Sequence, residues 1–234
     1  MPPEVTAADE IKAAPRALLF DMDGTILDSD PVHIAVFADM MRPYGIEVDE
    51  AFYNEHVIGG RNTEIFARFL PGEDPFALDL EKEAEYRRRI AKLSLVPTAG
   101  LFDLLDRAGA EGIPRIVVTN ACRANLEAVI AALGVENRFD AFLSADDCVR
   151  GKPHPEIYMR AADMAGFQPS QCVAFEDSHS GVASAHAAGC RVVGMTTSLT
   201  KAKLAEAGAS HFARDFHDPS LEAVLGPLAA DFAL

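Results

Sequence analysis

An α/β fold, in which a parallel β-sheet is covered on both faces and carries an all-helical insert after its first strand, is predicted by three features of this 234-residue chain. From Gly100 onward, short apolar runs alternate with helical stretches closed by glycine, and such alternation with short connections builds a parallel sheet. Between residues 30 and 94 no strand candidate interrupts a series of helical pieces. Three of the apolar runs end abruptly in polar residues: the first in Asp21 and Asp23, PRIVV in Thr119-Asn120, and CVAF in Glu176-Asp177. Ligands of such sheets sit at the carboxyl ends of the strands, so these three ends mark a candidate site.

Taken in order, residues 1–14 are acidic and rich in Pro and Ala, and read as a loose N-terminal arm. Arg16–Asp21 is too short for a helix and reads as a buried strand. Asp21 and Asp23 face one side of extended backbone. Two carboxylates aimed at one point repel each other unless a cation lies between them or one holds a proton. The plainer alternative is an Asp-Gly turn. Gly24 lets the backbone bend and approach a ligand closely. Asp30-Pro31 reads as an N-cap followed by proline at the first helical position, opening a helix that runs to about Met41 and stops before Pro43. Asp49–His56 and Thr63–Phe69 are two further helical pieces, joined by Val57-Ile58-Gly59-Gly60-Arg61-Asn62. A long charged helix follows over roughly Pro75–Ser94, with Glu81, Glu83, Arg87 and Arg88 on its wet faces.

Beyond Gly100 the pattern predicts helices over Leu101–Ala110, Ala124–Leu133, Pro155–Ala165, Gly181–Ala188 and Lys201–Ala207. Strands are predicted over Pro114–Thr119, Ala141–Ser144, Cys172–Phe175, Arg191–Met195 and His211–Ala213.

The composition narrows the function. A formal net charge of −15 argues against nucleic acid and anionic membranes as partners. An anionic substrate would then need a local metal ion or Lys/Arg. The four cysteines have no C-x-x-C spacing and read as reduced thiols. The first residues carry Glu4, Asp9 and Glu10 with no apolar segment, which reads as no signal peptide and a cytoplasmic protein. No run approaches the length of a membrane span. A monomer or weak homodimer is expected.

Asp21-Met22-Asp23-Gly24-Thr25 resembles the first motif, D-x-D-G-T, of the haloacid dehalogenase-like hydrolases. Thr119-Asn120 resembles the second motif, Lys152 within Gly151-Lys152-Pro153-His154-Pro155 the third, and Glu176-Asp177-Ser178 the fourth. The resemblance runs from about Arg16 to about Phe212 and is to members with a helical C1 cap, β-phosphoglucomutase-like enzymes and small-metabolite phosphatases. It implies a Rossmann-like core of residues 1–29 and 96–234 and a cap of residues 30–95, hinged near Asp28–Pro31 and Leu95–Thr98.

The same resemblance implies that Asp21 is a nucleophile forming an aspartyl-phosphate, with Asp23 the acid for the leaving group and base for water. Gly24, the Thr119 hydroxyl and the Asn120 N–H would hold the phosphate, the last at a helix N-terminus that favours anions; a simple N-cap is the alternative for Thr119-Asn120. Lys152 would offset charge on Asp21 and the phosphoryl group. Mg²⁺ would be held by Asp21, the Asp23 backbone carbonyl and Asp177, with Glu176 ranked behind them. Arg61 sits where the family keeps its specificity loop, against the alternative of a solvated turn residue. His33 sits where relatives couple cap closure to Asp23, against the alternative of an exposed helix histidine. Arg123 is a further candidate to reach phosphate.

The expected activity is Mg²⁺-dependent hydrolysis of a small phosphorylated metabolite such as a sugar phosphate. The alternative is a hexose-phosphate mutase. Asp23 is the carboxylate that the family's dehalogenases lack. Ala121-Cys122-Arg123 and Ile58-Gly59-Gly60 replace cationic positions that mutase relatives use to hold two phosphates in turn.

Overall fold

The computed structural model describes residues 15–58 and 60–228. The expected N-terminal arm and Gly59 lie outside the described residues. β1 (Ala17–Phe20) is buried along its whole length. Its alternating side chains serve two layers. Leu18 and Phe20 pack with Val117, Phe175 and Val193, while Ala17 and Leu19 pack with Ile116, Val118, Ala174 and Val192. Burial on both faces explains why the strands read as continuous apolar runs rather than as alternating ones.

β1 lies inside a sheet with β2 (Arg115–Val118), β3 (Ala141–Leu143), β4 (Cys172–Glu176), β5 (Arg191–Met195) and β6 (His211–Ala213). Every pairing is parallel and the order is β3-β2-β1-β4-β5-β6. The chain steps outward from β1 to β3 and then returns to the other side of β1 as β4. Loops leaving β1 and β4 therefore diverge, which opens a crevice at their carboxyl ends.

Four α-helices follow β1 before residue 95: α1 (Asp30–Met41), α2 (Glu50–His56), α3 (Asn62–Phe69) and α4 (Pro75–Ile90). They enclose an apolar centre of their own around Phe37, Met41, Tyr53, Ile65, Phe66 and Leu70. Helices α5 (Leu101–Ala110) and α6 (Arg123–Leu133) cover the Phe20 face of the sheet, and α7 (Glu156–Ala165), α8 (His179–Ala188) and α9 (Lys201–Ala207) cover the Leu19 face. A short helix absent from the sequence reading, α10 (Glu222–Leu225), adds Val224 and Leu225 to the Phe20 face.

Three local expectations are corrected. Asp30 is the first residue of α1 rather than its N-cap, and Ser29 holds the cap position without a capping bond. The Ser29 hydroxyl donates to Asp23 Oδ1 at 2.6 Å, and the Asp30 carboxylate accepts from the Tyr53 hydroxyl at 3.1 Å. Helix α4 stops at Ile90, short of Ser94. The connector beyond it must turn back to the β1 loop: Pro97 bridges Leu27, Thr98 N–H donates to the Ile26 carbonyl at 2.9 Å, and Thr98 Oγ1 donates to the Thr25 carbonyl at 2.7 Å. Glu83 and Arg87 are not on a wet face either, because both meet Asn125 on α6.

Candidate active site

The crevice gathers Asp21, Glu176 and Asp177, and an oxygen of each lies within 4.8 Å of the others. Asp21 follows β1 directly, and its N–H donates to the Phe175 carbonyl of β4 at 3.0 Å, so the sheet register aims its side chain. All three carboxylates are buried. Burial, and then the Glu176 charge, push the Asp21 carboxyl up to about 8 against the pull of Lys152. Burial, Asp21 and Glu176 raise Asp177 well above the ordinary carboxylate range. Three buried carboxylates around one point are mutually repulsive and call for positive charge.

Lys152 supplies part of it. Its ammonium, also buried, donates to Asp21 Oδ1 at 2.5 Å, to Glu176 Oε1 at 2.6 Å and to the Val118 carbonyl at 2.7 Å. Burial alone would lower its pKa, but the two carboxylates outweigh that and raise it. The loop that carries Lys152 is pinned by Asn120. Asn120 Oδ1 accepts from Lys152 N–H at 2.8 Å, and Asn120 Nδ2 donates to the Lys152 carbonyl at 3.2 Å. This side-chain role adds to the N–H role expected from the sequence. Thr119 is buried beside it at the end of β2, its Oγ1 accepting from Ala121 N–H at 3.0 Å.

Glu176 is fully buried and well supplied with donors. Besides Lys152 it accepts from the Tyr158 hydroxyl at 2.6 Å and from Ser178 Oγ at 3.2 Å. Those partners make it a buttress for Lys152. Asp177 is held differently, by the Ser198 hydroxyl in the loop after β5. The neighbouring Thr197 Oγ1 donates to the Gly24 carbonyl at 2.6 Å. Gly24 itself has φ +74, and a Cβ there would lie 2.0 Å from Asp177 Oδ2 and 2.8 Å from Ser198 Oγ. Glycine at this position lets the β1 loop close directly onto the Asp177 carboxylate.

Asp23 turns toward the helical insert. Its Oδ1 accepts from Ser29 Oγ and, at 3.3 Å, from the Tyr86 hydroxyl, and it faces His33 Nε2 at 3.7 Å. Burial pushes the Asp23 carboxyl up, but His33 and Ser29 outweigh it and hold it below the usual range. The His33 ring stacks on Tyr86 with centroids 4.2 Å apart, and its Nδ1 lies 3.1 Å from the Lys82 ammonium. A lysine ammonium only donates, so Nδ1 accepts and the ring proton sits on Nε2, toward Asp23. His33 is thus beside Asp23 and not exposed.

The other expectations divide. Arg61 is exposed and bonds to no side chain among the described residues. Arg123 turns away from the crevice to Asp147 and to the Phe142 carbonyl, so it does not supply a cation there. Sequence reasoning missed Lys82, Tyr86, Tyr158, Thr197 and Ser198. A signal for two of them was present: Lys82, Tyr86 and Ile90 recur every four residues, which puts Lys82 on the same buried stripe as two apolar side chains.

The family model described as haloacid dehalogenase-like hydrolase matches residues 15–189. Protein CbbY of Rhodobacter capsulatus is 31% identical over 220 residues, covering 89% of this chain and 94% of that protein. The fructose-1-phosphate phosphatase YqaB of Escherichia coli is 35% identical over 182 residues, covering 75% and 94%. Among solved structures, a family IA, variant 3 hydrolase from Entamoeba histolytica superposes with a TM-score of 0.82 at 27% identity, covering 90% of this chain and 97% of that one.

Proposed function

This chain belongs to the haloacid dehalogenase-like hydrolases, and we propose that it is a Mg²⁺-dependent phosphatase of a small phosphorylated metabolite, working through a phosphorylated Asp21. The carrying observation is the meeting of Asp21, Glu176, Asp177 and Lys152 at the mouth of one crevice. The donor set fits Mg²⁺, being hard carboxylate oxygens whose burial and mutual repulsion favour a cation. Asp21 and Asp177, with the Asp23 carbonyl, would hold the ion, which would supply charge neutralisation to an anionic substrate in a chain of net charge −15.

Lys152 aims Asp21 and pulls its carboxyl toward the ionised form that a nucleophile requires, and a bound cation would add to that pull. Thr119 and the Asn120 N–H hold phosphoryl oxygens where β2 meets α6. Asp23, two residues on from the nucleophile and open to the insert, passes a proton to the leaving oxygen and later takes one from water. Residues 30–95 form the cap, which closes over the crevice about Asp28–Pro31 and Leu95–Thr98 and brings Arg61 to the leaving group. A sugar monophosphate suits this reading, in keeping with the relative that dephosphorylates fructose 1-phosphate. Arg123, spent on Asp147, leaves the segment after Thr119 without the extra cation a mutase needs.

The test is phosphate release from a panel of sugar and polyol monophosphates and from p-nitrophenyl phosphate, with Mg²⁺ and with excess chelator. Release that depends on Mg²⁺ is expected. Absence of release from every compound, or full release in chelator, overturns the proposal.

A further inference from the structure

We propose that Asn125 and Glu83 are positioning residues that tie docking of the helical insert to the orientation of Asp23. The inference rests on the reading of Asp23 as the proton donor to the leaving group. Asn125 lies on α6, in the sheet-forming part of the chain, and is buried. Among the described residues, both ends of its amide are given to the insert. Nδ2 donates to Glu83 Oε2, and Oδ1 accepts from Arg87 Nη1 at 2.7 Å. A buried amide satisfied only across a boundary loses both bonds when that boundary opens.

Glu83 is where the contact branches. Its Oε1 accepts from the Lys82 ammonium at 2.9 Å and from Asn62 Nδ2 at 2.6 Å. Asn62 follows Arg61 and also donates to Asp79 Oδ1 at 2.7 Å, so the loop bearing Arg61 is anchored to the same helix. Lys82 is the group that fixes the His33 tautomer, and His33 faces Asp23. One carboxylate therefore touches the docking contact, the Arg61 loop and the Lys82–His33–Asp23 chain. With Asn125 in place, Glu83 divides its acceptor capacity and leaves the Lys82 ammonium shared with His33. With Asn125 withdrawn, the half-buried carboxylate compensates by drawing on Lys82, and His33 loses the donor that holds its proton on the Asp23 side.

Asn125→Ala in the full chain tests this. The readouts are kcat and KM for a sugar monophosphate and for p-nitrophenyl phosphate, together with hydrogen exchange at residues 26–31, 60–65 and 95–98. A sugar alkoxide leaves only with a proton, whereas p-nitrophenolate leaves without one. The expected result is a fall in kcat of about 10-fold or more on the sugar phosphate, a fraction of what a positioned acid contributes, a change within about threefold on p-nitrophenyl phosphate, and faster exchange in all three segments. Equal losses on the two substrates, or unchanged exchange in the connectors, overturns the proposal.

Glu83→Gln separates the two arms. It keeps an acceptor for Asn125 but removes the charge that engages Lys82, so connector exchange should stay near that of the parent while the sugar-phosphate kcat falls. A Glu83→Gln protein with full sugar-phosphate activity removes the link to Asp23. If the parent releases no phosphate from any compound, the proposed function fails on its own, and the exchange measurement still decides whether Asn125 holds the insert.

Discussion

Replacing Gly24 by alanine should damage both stability and metal binding, and the cost follows from two separate features. The first is backbone conformation: φ is +74, where an L side chain costs roughly 1–2 kcal/mol. The second is space. The new Cβ would stand 2.0 Å from Asp177 Oδ2, 2.6 Å from its Cγ and 2.8 Å from Ser198 Oγ, all inside van der Waals contact. Asp177 must swing away, and its hydrogen bond from Ser198 is lost, at about 1.5–3 kcal/mol for a bond to a charged group. Together these come to about 2.5–5 kcal/mol, or a Tm lower by roughly 5–20 °C for a chain of this length. Displacing a group that orients a metal ligand typically weakens metal binding about 10- to 100-fold. Gly166, the C-cap of α7, is the control. Its φ is +80 but nothing lies within 4 Å of a Cβ there, so Gly166→Ala should incur the backbone cost alone and leave metal affinity unchanged. Thermal unfolding and calorimetric Mg²⁺ titration of the two variants decide the matter. Equal Tm losses together with parental Mg²⁺ affinity in Gly24→Ala would refute the close approach of the β1 loop to Asp177.

Lys152→Met should destabilise the fold by roughly 3–5 kcal/mol, because Asp21 and Glu176 are left buried without their shared counter-ion; chemical denaturation measures it, and a loss below about 1 kcal/mol contradicts the buried triad. Arg61→Ala should lower kcat/KM for the true substrate by roughly 10- to 100-fold and leave p-nitrophenyl phosphate within about threefold; equal losses would put Arg61 in the phosphate site. Acid should cost the fold stability through Glu83. Burial pushes Glu83 up, but Lys82 and Asn125 outweigh it and hold the carboxyl below its ordinary range. A depressed carboxyl contributes stability above its unfolded pKa and loses it as pH falls through the folded value. Between about pH 5 and pH 3 the parent should therefore lose more Tm than Glu83→Gln, and parallel losses would contradict this.

Much of the candidate site was legible because Asp21, Thr119, Glu176 and Asp177 stand at the ends of strands. β1, β2 and β4 are short apolar runs whose polar terminus is a change of chemistry visible in one dimension, and parallel pairing brings those termini to one edge. Residues missed by sequence reasoning lie where that logic stops. Lys82, Glu83 and Arg87 belong to a helix so rich in charge that its buried stripe is masked, and their partners His33 and Asn125 are 38 to 49 residues away. Ser198 and Thr197 stand in an ordinary-looking Thr-Thr-Ser stretch after β5, and only the approach of Gly24 gives them a role. Local rules favour Asp30-Pro31 as the helix start and say nothing of Ser29, whose hydroxyl answers to Asp23, six residues earlier in the chain. Arg123 follows a motif residue, but a nearer carboxylate, Asp147, claims it.

Covalent phosphoryl transfer to Asp21 is tested most directly by acid-quenching the protein during turnover of a sugar monophosphate with Mg²⁺ and mapping the label by peptide mass spectrometry. The expected result is one phosphoryl group on the peptide containing Asp21, absent from Asp21→Asn, whose turnover should fall by roughly 10³-fold or more. Steady turnover with no labelled peptide, or a label on a peptide that lacks Asp21, would contradict the assignment of Asp21 as the nucleophile.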